Sequence, residues 1–283
     1  EILAIPGPTT IPDQVLQAMH RPAIEIYGGE LRQITDSVLA DLPKIFRSKG
    51  RPYIYIANGH GGWEAAISNV LSRGDKVLVL ESGRFAVGWG EAGKSMGIDV
   101  EVLPGDWQSA VDPAKVEARL RADAKGEIKA VLVVQIDTAS SCVNDIPAIR
   151  VAMDAAGHGA LLMVDAIASL ATMPFEMDAW GIDVALTGSQ KGMMTPPGLA
   201  LLCVNGKAFD AHEKADLRTA YWDWTRRDGN EHYQKYAGTP PSHMLFGLRK
   251  SLDMILEEGL ENIFRRHALL AGAVQAAVGR WRE

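Results

Sequence analysis

Seven short strand-like runs, separated mostly by segments of helix length, limit the folds that this 283-residue chain can adopt. The runs lie at residues 53–57, 76–81, 99–103, 130–135, 161–165, 182–186 and 199–204. Several are apolar throughout, which is typical of parallel strands that helices cover on both faces. The alternation predicts an α/β fold, with a mostly parallel seven-stranded sheet flanked by helices. Ligands of such sheets bind outside the carboxyl ends of the strands, so functional residues are expected there.

Composition excludes several classes of protein. The chain is 47% hydrophobic and 23% charged, which is ordinary for a soluble globular protein. Its net charge of -6 and pI near 5.7 argue against a nucleic-acid partner. Its apolar runs are too short to span a membrane, so no membrane partner is expected. Cys142 and Cys203 provide neither a disulfide framework nor a set of metal ligands, so we expect no metal and a reducing, cytoplasmic location.

A lysine and an aspartate follow neighbouring runs of the predicted sheet. Lys191 ends the stretch Thr187–Lys191, just past the run 182–186, and Asp165 closes the run 161–165. This pair suits pyridoxal phosphate, because the amine can form a Schiff base with the aldehyde while the carboxylate pairs with the pyridine nitrogen. Each residue also has an ordinary interpretation, as a solvated loop lysine and as an aspartate that caps a turn or helix.

Three further strand ends carry groups that a phosphorylated, aromatic cofactor could use. Asn58-Gly59-His60-Gly61-Gly62 opens a helix after the first run, which predicts either a phosphate site or a simple tight turn. Phe85 follows the second run and is either a stacking partner for a flat ring or ordinary core. Thr138 follows the fourth run, and its hydroxyl could bond the phenolic oxygen of the cofactor or cap the next helix.

The remaining pattern is helical. Helices are expected at residues 13–20, 31–46, 63–71, 86–96, 113–122, 146–156, 242–257 and 260–281. Pro43 should kink or interrupt the end of the second helix. Gly259 is expected as the cap that separates the last two.

Taken together, the chain resembles the class V, fold-type I aminotransferases, and most of all their serine–glyoxylate and alanine–glyoxylate members. The matching stretches are Pro6–Thr9, Asn58–Glu64, Val164–Ser169, Gly188–Lys191, Pro197–Leu199 and Glu257–Asn262. They span nearly the whole chain and are very specific as a set.

The resemblance implies a role for each candidate residue. Lys191 would be the Schiff-base lysine, and Asp165 would be the partner of the pyridinium nitrogen. Phe85 and Ile167 would pack on opposite faces of the cofactor ring. The cofactor would be held further by Asn58, Gly59, His60, Thr138 and Gln190.

Two other pairs follow from the same resemblance. Tyr236 and Thr239 match a pair that reaches the phosphate of the neighbouring subunit, which implies a homodimer with shared active sites. Gly7 and Tyr27 would lie near the substrate. Relatives carry a His-Arg-Ser-like stretch where this chain has Ile26-Tyr27-Gly28, so its amino-acid specificity could differ from theirs.

The implied function is transfer of an amino group from a small amino acid, serine or alanine, to glyoxylate, which gives glycine and a 2-oxo acid. Alternatives within the fold are an aspartate–glyoxylate or pyridoxamine–pyruvate aminotransferase and a pyridoxal-phosphate-dependent lyase. A desulfurase is disfavoured because Cys142 and Cys203 are poorly placed for a mobile catalytic thiol. A non-catalytic module that only binds the cofactor is the alternative from another class.

The resemblance also predicts the organisation of the chain. A lead-in (residues 1–20) would precede a large cofactor-binding domain (21–255), and residues 256–283 would begin a small domain. Relatives carry in that small domain the arginine that clamps the substrate carboxylate. A chain that stops at Glu283 is therefore expected to bind cofactor but to transaminate poorly, whereas a longer parent should be active.

The first testable prediction concerns Lys191. Treatment of the cofactor-loaded protein with borohydride, followed by peptide mapping, should place a pyridoxyl group on Lys191, because a loop past a strand end exposes its amine to the ligand edge of the sheet. A pyridoxyl group on any other lysine would refute the assignment.

Overall fold

A seven-stranded sheet lies at the centre of the fold, as the sequence predicts. The computed structural model describes residue 3 and residues 5–281. The strands in sequence order are β1 (Arg51–Ile56), β2 (Lys76–Leu80), β3 (Asp99–Leu103), β4 (Ile128–Val134), β5 (Ile136–Asp137), β6 (Cys142–Val143), β7 (Leu161–Asp165), β8 (Val184–Gly188) and β9 (Leu199–Val204). The small β5–β6 hairpin was not expected from the sequence and forms a sheet of its own.

Helices cover both faces of the sheet. They are α1 (Asp13–Met19), α2 (Gly29–Phe46), α3 (Gly59–Val70), α4 (Arg84–Ser95), α5 (Pro113–Ala122), α6 (Ile146–Ala155), α7 (Gly206–Lys214), α8 (Trp224–Arg227), α9 (Ser242–Glu258) and α10 (Leu260–Arg280). A short 3-10 helix spans His232–Tyr236. Pro43 lies inside α2 without ending it, since the helix continues to Phe46. Gly259 separates α9 from α10 with a φ of 79°, as the predicted cap requires.

The large sheet has the strand order β1-β9-β8-β7-β4-β2-β3, with β7 in the middle. Strand β9 pairs antiparallel with both β8 and β1, whereas all the other neighbours are parallel. The carboxyl ends of the six strands other than β9 consequently lie at one edge of the sheet. The loop that joins β8 to β9 turns back over this same edge, because antiparallel neighbours need no crossover.

Burial on both faces explains why the central strands are apolar throughout. In β2, Leu78 and Leu80 belong to the hydrophobic layer that α2, α5, α6 and α9 cover. Val77 and Val79 point to the opposite layer, which contains α3 and α4. Every position of a strand with two covered faces must therefore be apolar.

The N-terminal lead-in and the last helix differ in how much they are buried against this core. Helix α1 packs against α9, and its Val15 is fully buried. Residues 268–280 of α10 are exposed throughout. The predicted division at residues 20–21 and 255–256 stays a prediction, and residues 1, 2, 4, 282 and 283 of the two terminal segments lie outside the described part of the chain. Within that part, no helix is both long and apolar enough to cross a membrane.

Arg227 fastens the segment after β9 to the outer edge of β1. It is 1% exposed, and it donates hydrogen bonds to the carbonyls of Ile54 (2.9 Å), Lys235 (2.7 Å) and Tyr221 (2.7 Å). Its guanidinium carbon also lies 4.0 Å from the centre of the Tyr55 ring. One side chain thus satisfies three backbone acceptors from three separate segments, and the bond to Ile54 is fully buried.

Replacing this arginine should destabilise the fold. Arg227→Met should lower the free energy of unfolding by about 3 kcal/mol or more, because three carbonyls lose their donor. Arg226→Met is the matched control, since the neighbouring side chain is 68% exposed and should change stability by about 0.5 kcal/mol at most. Denaturant unfolding measures both, and equal stability of the two variants would contradict the role of Arg227.

Candidate functional site

The carboxyl edge of the sheet contains a cavity of about 280 Å³. The predicted residues that line it are Gly7, Asn58, Gly59, His60, Phe85, Thr138, Asp165, Ile167, Gln190 and Lys191. They come from the lead-in, from the ends of β1, β2, β4, β7 and β8, and from the segments that follow these strands. The fold thus brings together groups that are spread over most of the sequence.

The turn after β1 forms the N-terminus of α3 at one side of this cavity. The Asn58 side chain caps the helix by accepting hydrogen bonds from the backbone N–H groups of His60 (3.1 Å) and Gly61 (3.3 Å). A Cβ atom at Gly59 would collide with the Cδ1 atom of Ile167. The start of a 12-residue helix carries partial positive charge, so the turn is suited to an anionic group.

Lys191 lies on a loop that is tied together at its base. The Ser189 hydroxyl donates to the carbonyl of Pro196 (2.6 Å) and accepts from the backbone N–H of Leu199 (3.1 Å). The Lys191 amine donates to the carbonyl of Pro6 (3.0 Å), so the lead-in packs directly on the lysine. Gly7 has a φ of 153°, and a Cβ there would collide with the amine, which accounts for a glycine at this position.

Asp165 is a buried carboxylate at the end of the central strand. It is 2% exposed, and its two oxygens accept hydrogen bonds from the Trp63 indole N–H (2.6 Å) and the backbone N–H of Ile167 (2.8 Å). Burial raises the pKa of Asp165 to about 6, although both hydrogen bonds act in the opposite direction. Asp137 adds to this rise by repulsion, and Lys191 opposes it by attraction.

Burial acts on the lysine as well. Partial burial lowers the pKa of the Lys191 amine, and the nearby charge of Asp165 opposes this effect. A lysine whose pKa is lowered is more often neutral, and it is the neutral amine that reacts as a nucleophile or accepts a proton.

Two buried residues at the site were not predicted as functional. Trp63, for which the sequence predicts only the start of a helix, is 1% exposed, and its indole N–H donates a hydrogen bond to Asp165. Asp137 is fully buried, and it accepts hydrogen bonds from the backbone N–H groups of Phe85 and Ala86 (both 2.9 Å) and of Ala139 (3.1 Å). Asp137 therefore caps α4 from the β5 strand and holds the Phe85 segment against the Thr138 loop.

Thr138 does not cap the next helix, which was its ordinary interpretation. That helix, α6, is capped instead by Asp145, which accepts from the backbone N–H of Ala148 (3.0 Å). Ser141 closes the hairpin with a φ of 63°, a conformation that glycine adopts most easily.

The sequence offers one signal for the role of Asp137, which is its position as an acidic residue at the start of a turn.

Tyr236, Thr239 and Tyr27 lie outside this cavity in the protomer. The Tyr236 hydroxyl is buried and 2.8 Å from the Thr35 hydroxyl, which is also 2.8 Å from the His232 ring. Thr239 is exposed, and Tyr27 is 68% exposed. The roles assigned to these three residues depend on a partner subunit or a substrate, and they stay predictions.

A larger cleft of about 640 Å³ adjoins the cavity and shares Lys191 and Ala168 with it. It runs between the lead-in, the loop around Met194 and the helices α9 and α10. Arg266 lines this cleft and is held by Glu258 through two hydrogen bonds (2.8 and 2.9 Å). The lysine thus stands between a small cavity that contains Asp165 and a wider cleft open to other molecules.

Comparisons with known proteins identify sequences and structures that this chain resembles. The family model for aminotransferase class-V matches residues 3–280. The serine–glyoxylate aminotransferase of Methylorubrum extorquens is 41% identical over 99% of this chain and 71% of the relative. The L-aspartate–glyoxylate aminotransferase of Paracoccus denitrificans is 40% identical over 98% and 70%. The solved pyridoxamine–pyruvate aminotransferase from Mesorhizobium loti superposes with a TM-score of 0.86 at 29% identity, over 97% of this chain and 70% of that one.

The raised pKa of Asp165 predicts a stability that depends on pH. A carboxyl whose folded pKa is about 6 and whose ordinary value is 3.8 destabilises the cofactor-free fold once it ionises, so its cost is absent below pH 3.8 and complete above pH 6. Part of this cost is already present at pH 4 and all of it at pH 8, so Asp165→Asn should gain about 2 kcal/mol relative to wild type between these two pH values. Unfolding of both cofactor-free proteins at the two pH values measures this, and a stability difference that does not change with pH would contradict it.

Proposed function

Because this chain belongs to the aminotransferase class-V family, we propose that it is a pyridoxal-phosphate-dependent transaminase that transfers an amino group from a small amino acid to glyoxylate. The observation that carries this proposal is the placement of Lys191 and Asp165 on one cavity at the carboxyl edge of the sheet. An amine at the rim and a buried carboxylate at the floor are the two groups that this cofactor needs from a protein.

The chemistry of the cavity fits pyridoxal phosphate. Both hydrogen-bond donors to Asp165 are neutral groups, and burial raises its pKa, so a cationic ring nitrogen would supply a charge partner at the floor. Two apolar side chains that line the cavity, Phe85 and Ile167, offer surfaces for a flat ring. The anion-binding turn at the start of α3 would receive the phosphate.

Each of the remaining candidates has a place in this arrangement. Asn58, Gly59 and His60 would surround the phosphate, with Gln190 beside Lys191 on the opposite loop. Thr138 would face the ring oxygen. Asp137 would keep Phe85 and Thr138 at a constant separation, because its two carboxylate oxygens bind both segments.

When bound, the cofactor supplies an electron sink for the negative charge that develops on the substrate carbon. Lys191 attaches the cofactor, and its amine then carries a proton as general base and acid. Its lowered pKa increases the neutral fraction that can accept this proton. The carbonyl of Pro6 orients the amine, and Gly7 allows the lead-in to approach it closely.

Glyoxylate is the acceptor that the similar relatives share by name. One is named for serine and the other for L-aspartate, and their identities to this chain are 41% and 40%. We favour serine or alanine as donor. The exposed Tyr27 stretch is a candidate for tuning that choice.

We further propose a cytoplasmic homodimer in which the loop after the 3-10 helix contributes to the partner's site. Thr239 is exposed and distant in sequence from the strands that build its own cavity. Tyr236 is anchored on Thr35, so it would have to exchange this bond to reach the phosphate of a neighbouring subunit. Sedimentation of the cofactor-loaded protein tests the proposal, and a fully loaded monomer would refute it.

The proposed reaction can be tested in single turnovers, which detect conversion even when it is slow. Serine or alanine should convert the bound cofactor to its aminated form, and glyoxylate should restore the spectrum and yield glycine. Lys191→Ala should slow the conversion by about 100-fold to 10,000-fold, because the proton carrier is lost. Lys125→Ala, which changes an exposed lysine, is the control. Unchanged conversion by Lys191→Ala, or failure of serine, alanine and aspartate alike, would refute the proposal.

A further inference from the structure

The indole of Trp63 is the most direct side-chain contact of Asp165. Its N–H donates a hydrogen bond to the Oδ2 atom at 2.6 Å. Both groups are nearly fully buried. An indole nitrogen can donate but cannot accept, so this bond favours the ionised carboxylate over the protonated form.

The ring that makes this bond is held from several sides. Trp63 stacks on Trp89 with ring centres 6.3 Å apart and an angle of 16° between the planes. His60 packs against it at 4.5 Å, and Phe85 meets it edge-on at 6.4 Å. Helix α3 itself lies close to the sheet, since a Cβ at Gly62 would already be in tight contact with Ala200. The indole N–H is therefore fixed in direction before any ligand binds.

We propose that Trp63 is a positioning residue that orients Asp165 and holds it in its ionised form beneath the cofactor. This inference rests on the proposed function, because it assigns the carboxylate to the cofactor's ring nitrogen. The backbone N–H of Ile167 occupies the other oxygen, so the two donors together determine the plane of the carboxylate. Trp63 thus acts on the reaction through Asp165 and not by touching the reacting atoms.

Other charged groups near Asp165 act on it less directly. Asp137 on β5 repels its charge, and Lys191 on the loop after β8 attracts it. His60 on α3 faces the Trp63 ring. A test of the indole must therefore keep these three groups unchanged and remove only the N–H donor.

Trp63→Phe removes the donor while keeping an aromatic ring, and Trp89→Phe is its matched control. Trp89 is fully buried in the same stack, but among the described residues its indole nitrogen has no hydrogen-bond partner. Both variants lose a comparable ring volume. A difference between them therefore reports the hydrogen bond and not the packing.

The first measurement uses the cofactor-free protein. NMR of the Trp63 indole N–H should show a transition with a midpoint near pH 6 in wild type, and Asp165→Asn should abolish it. Carbon NMR of the Asp165 carboxyl should show its midpoint raised by about one to two pH units in Trp63→Phe and unchanged in Trp89→Phe. If Trp63→Phe does not fold, the comparison of wild type with Asp165→Asn decides alone. Two results would overturn the proposal. One is an indole N–H transition that persists unchanged in Asp165→Asn, and the other is an equal titration midpoint of the Asp165 carboxyl in folded Trp63→Phe and Trp89→Phe.

The second measurement separates this inference from the proposed function. Trp63→Phe should weaken pyridoxal phosphate binding by about tenfold to a hundredfold relative to Trp89→Phe. If wild type does not bind pyridoxal phosphate, the proposed function fails whatever the indole signal shows. If wild type binds it and Trp63→Phe binds it as tightly as Trp89→Phe, the role of Trp63 fails while the proposed function stands.

Discussion

The buried carboxylate of Asp165 at the end of the central strand is the constraint on which the site depends. An ionised group in the interior is costly unless it has partners, and here the hydrogen-bonding partners are two neutral donors. The cofactor-free fold therefore bears an electrostatic cost that a cationic ligand would relieve. Binding of a cationic ligand would therefore be favoured, because it would remove the unfavourable electrostatic free energy of the buried carboxylate.

The rest of the cavity is arranged around this group by the topology of the sheet. Parallel strands bring their carboxyl ends to one edge, and β9 returns antiparallel, so that the loop carrying Lys191 stays at that edge. Ser189 ties the two ends of the loop together, and the lead-in covers the lysine through Pro6 and Gly7. The position of the amine thus follows from one change of strand direction and a few backbone contacts.

Buried polar side chains connect the strand ends to each other. Trp63 links the helix after β1 to the end of β7, and Asp137 links the hairpin after β4 to the helix after β2. Arg227 connects separate segments in the same way at the sheet edge, where its hydrogen bonds join β1 to the segments at Tyr221 and Lys235. Because unpaired buried polar groups are expensive, each of these contacts specifies one arrangement of its neighbours.

The sequence alone determined the sheet, its two covered faces and the chemistry at most strand ends. Those features depend on local patterns: apolar runs, glycine-rich turns and a lysine in a loop that neither helix nor strand can continue. The resemblance carried by its motifs then predicted the family, and the match over residues 3–280 confirmed it. Ten of the predicted site residues line one cavity, because parallel strands must end at a common edge.

How these groups are held depends on contacts between distant parts of the chain. Trp63 and Asp165 are 102 positions apart in the sequence, and Asp137 and Phe85 are 52 positions apart, so no local sequence pattern predicts either contact. The β5–β6 hairpin and the anchoring of Tyr236 on Thr35 were likewise invisible in the sequence. A hydrogen bond between distant residues depends on the packing of whole elements, whereas a strand or a turn depends mainly on its own residues and can therefore be predicted from the sequence.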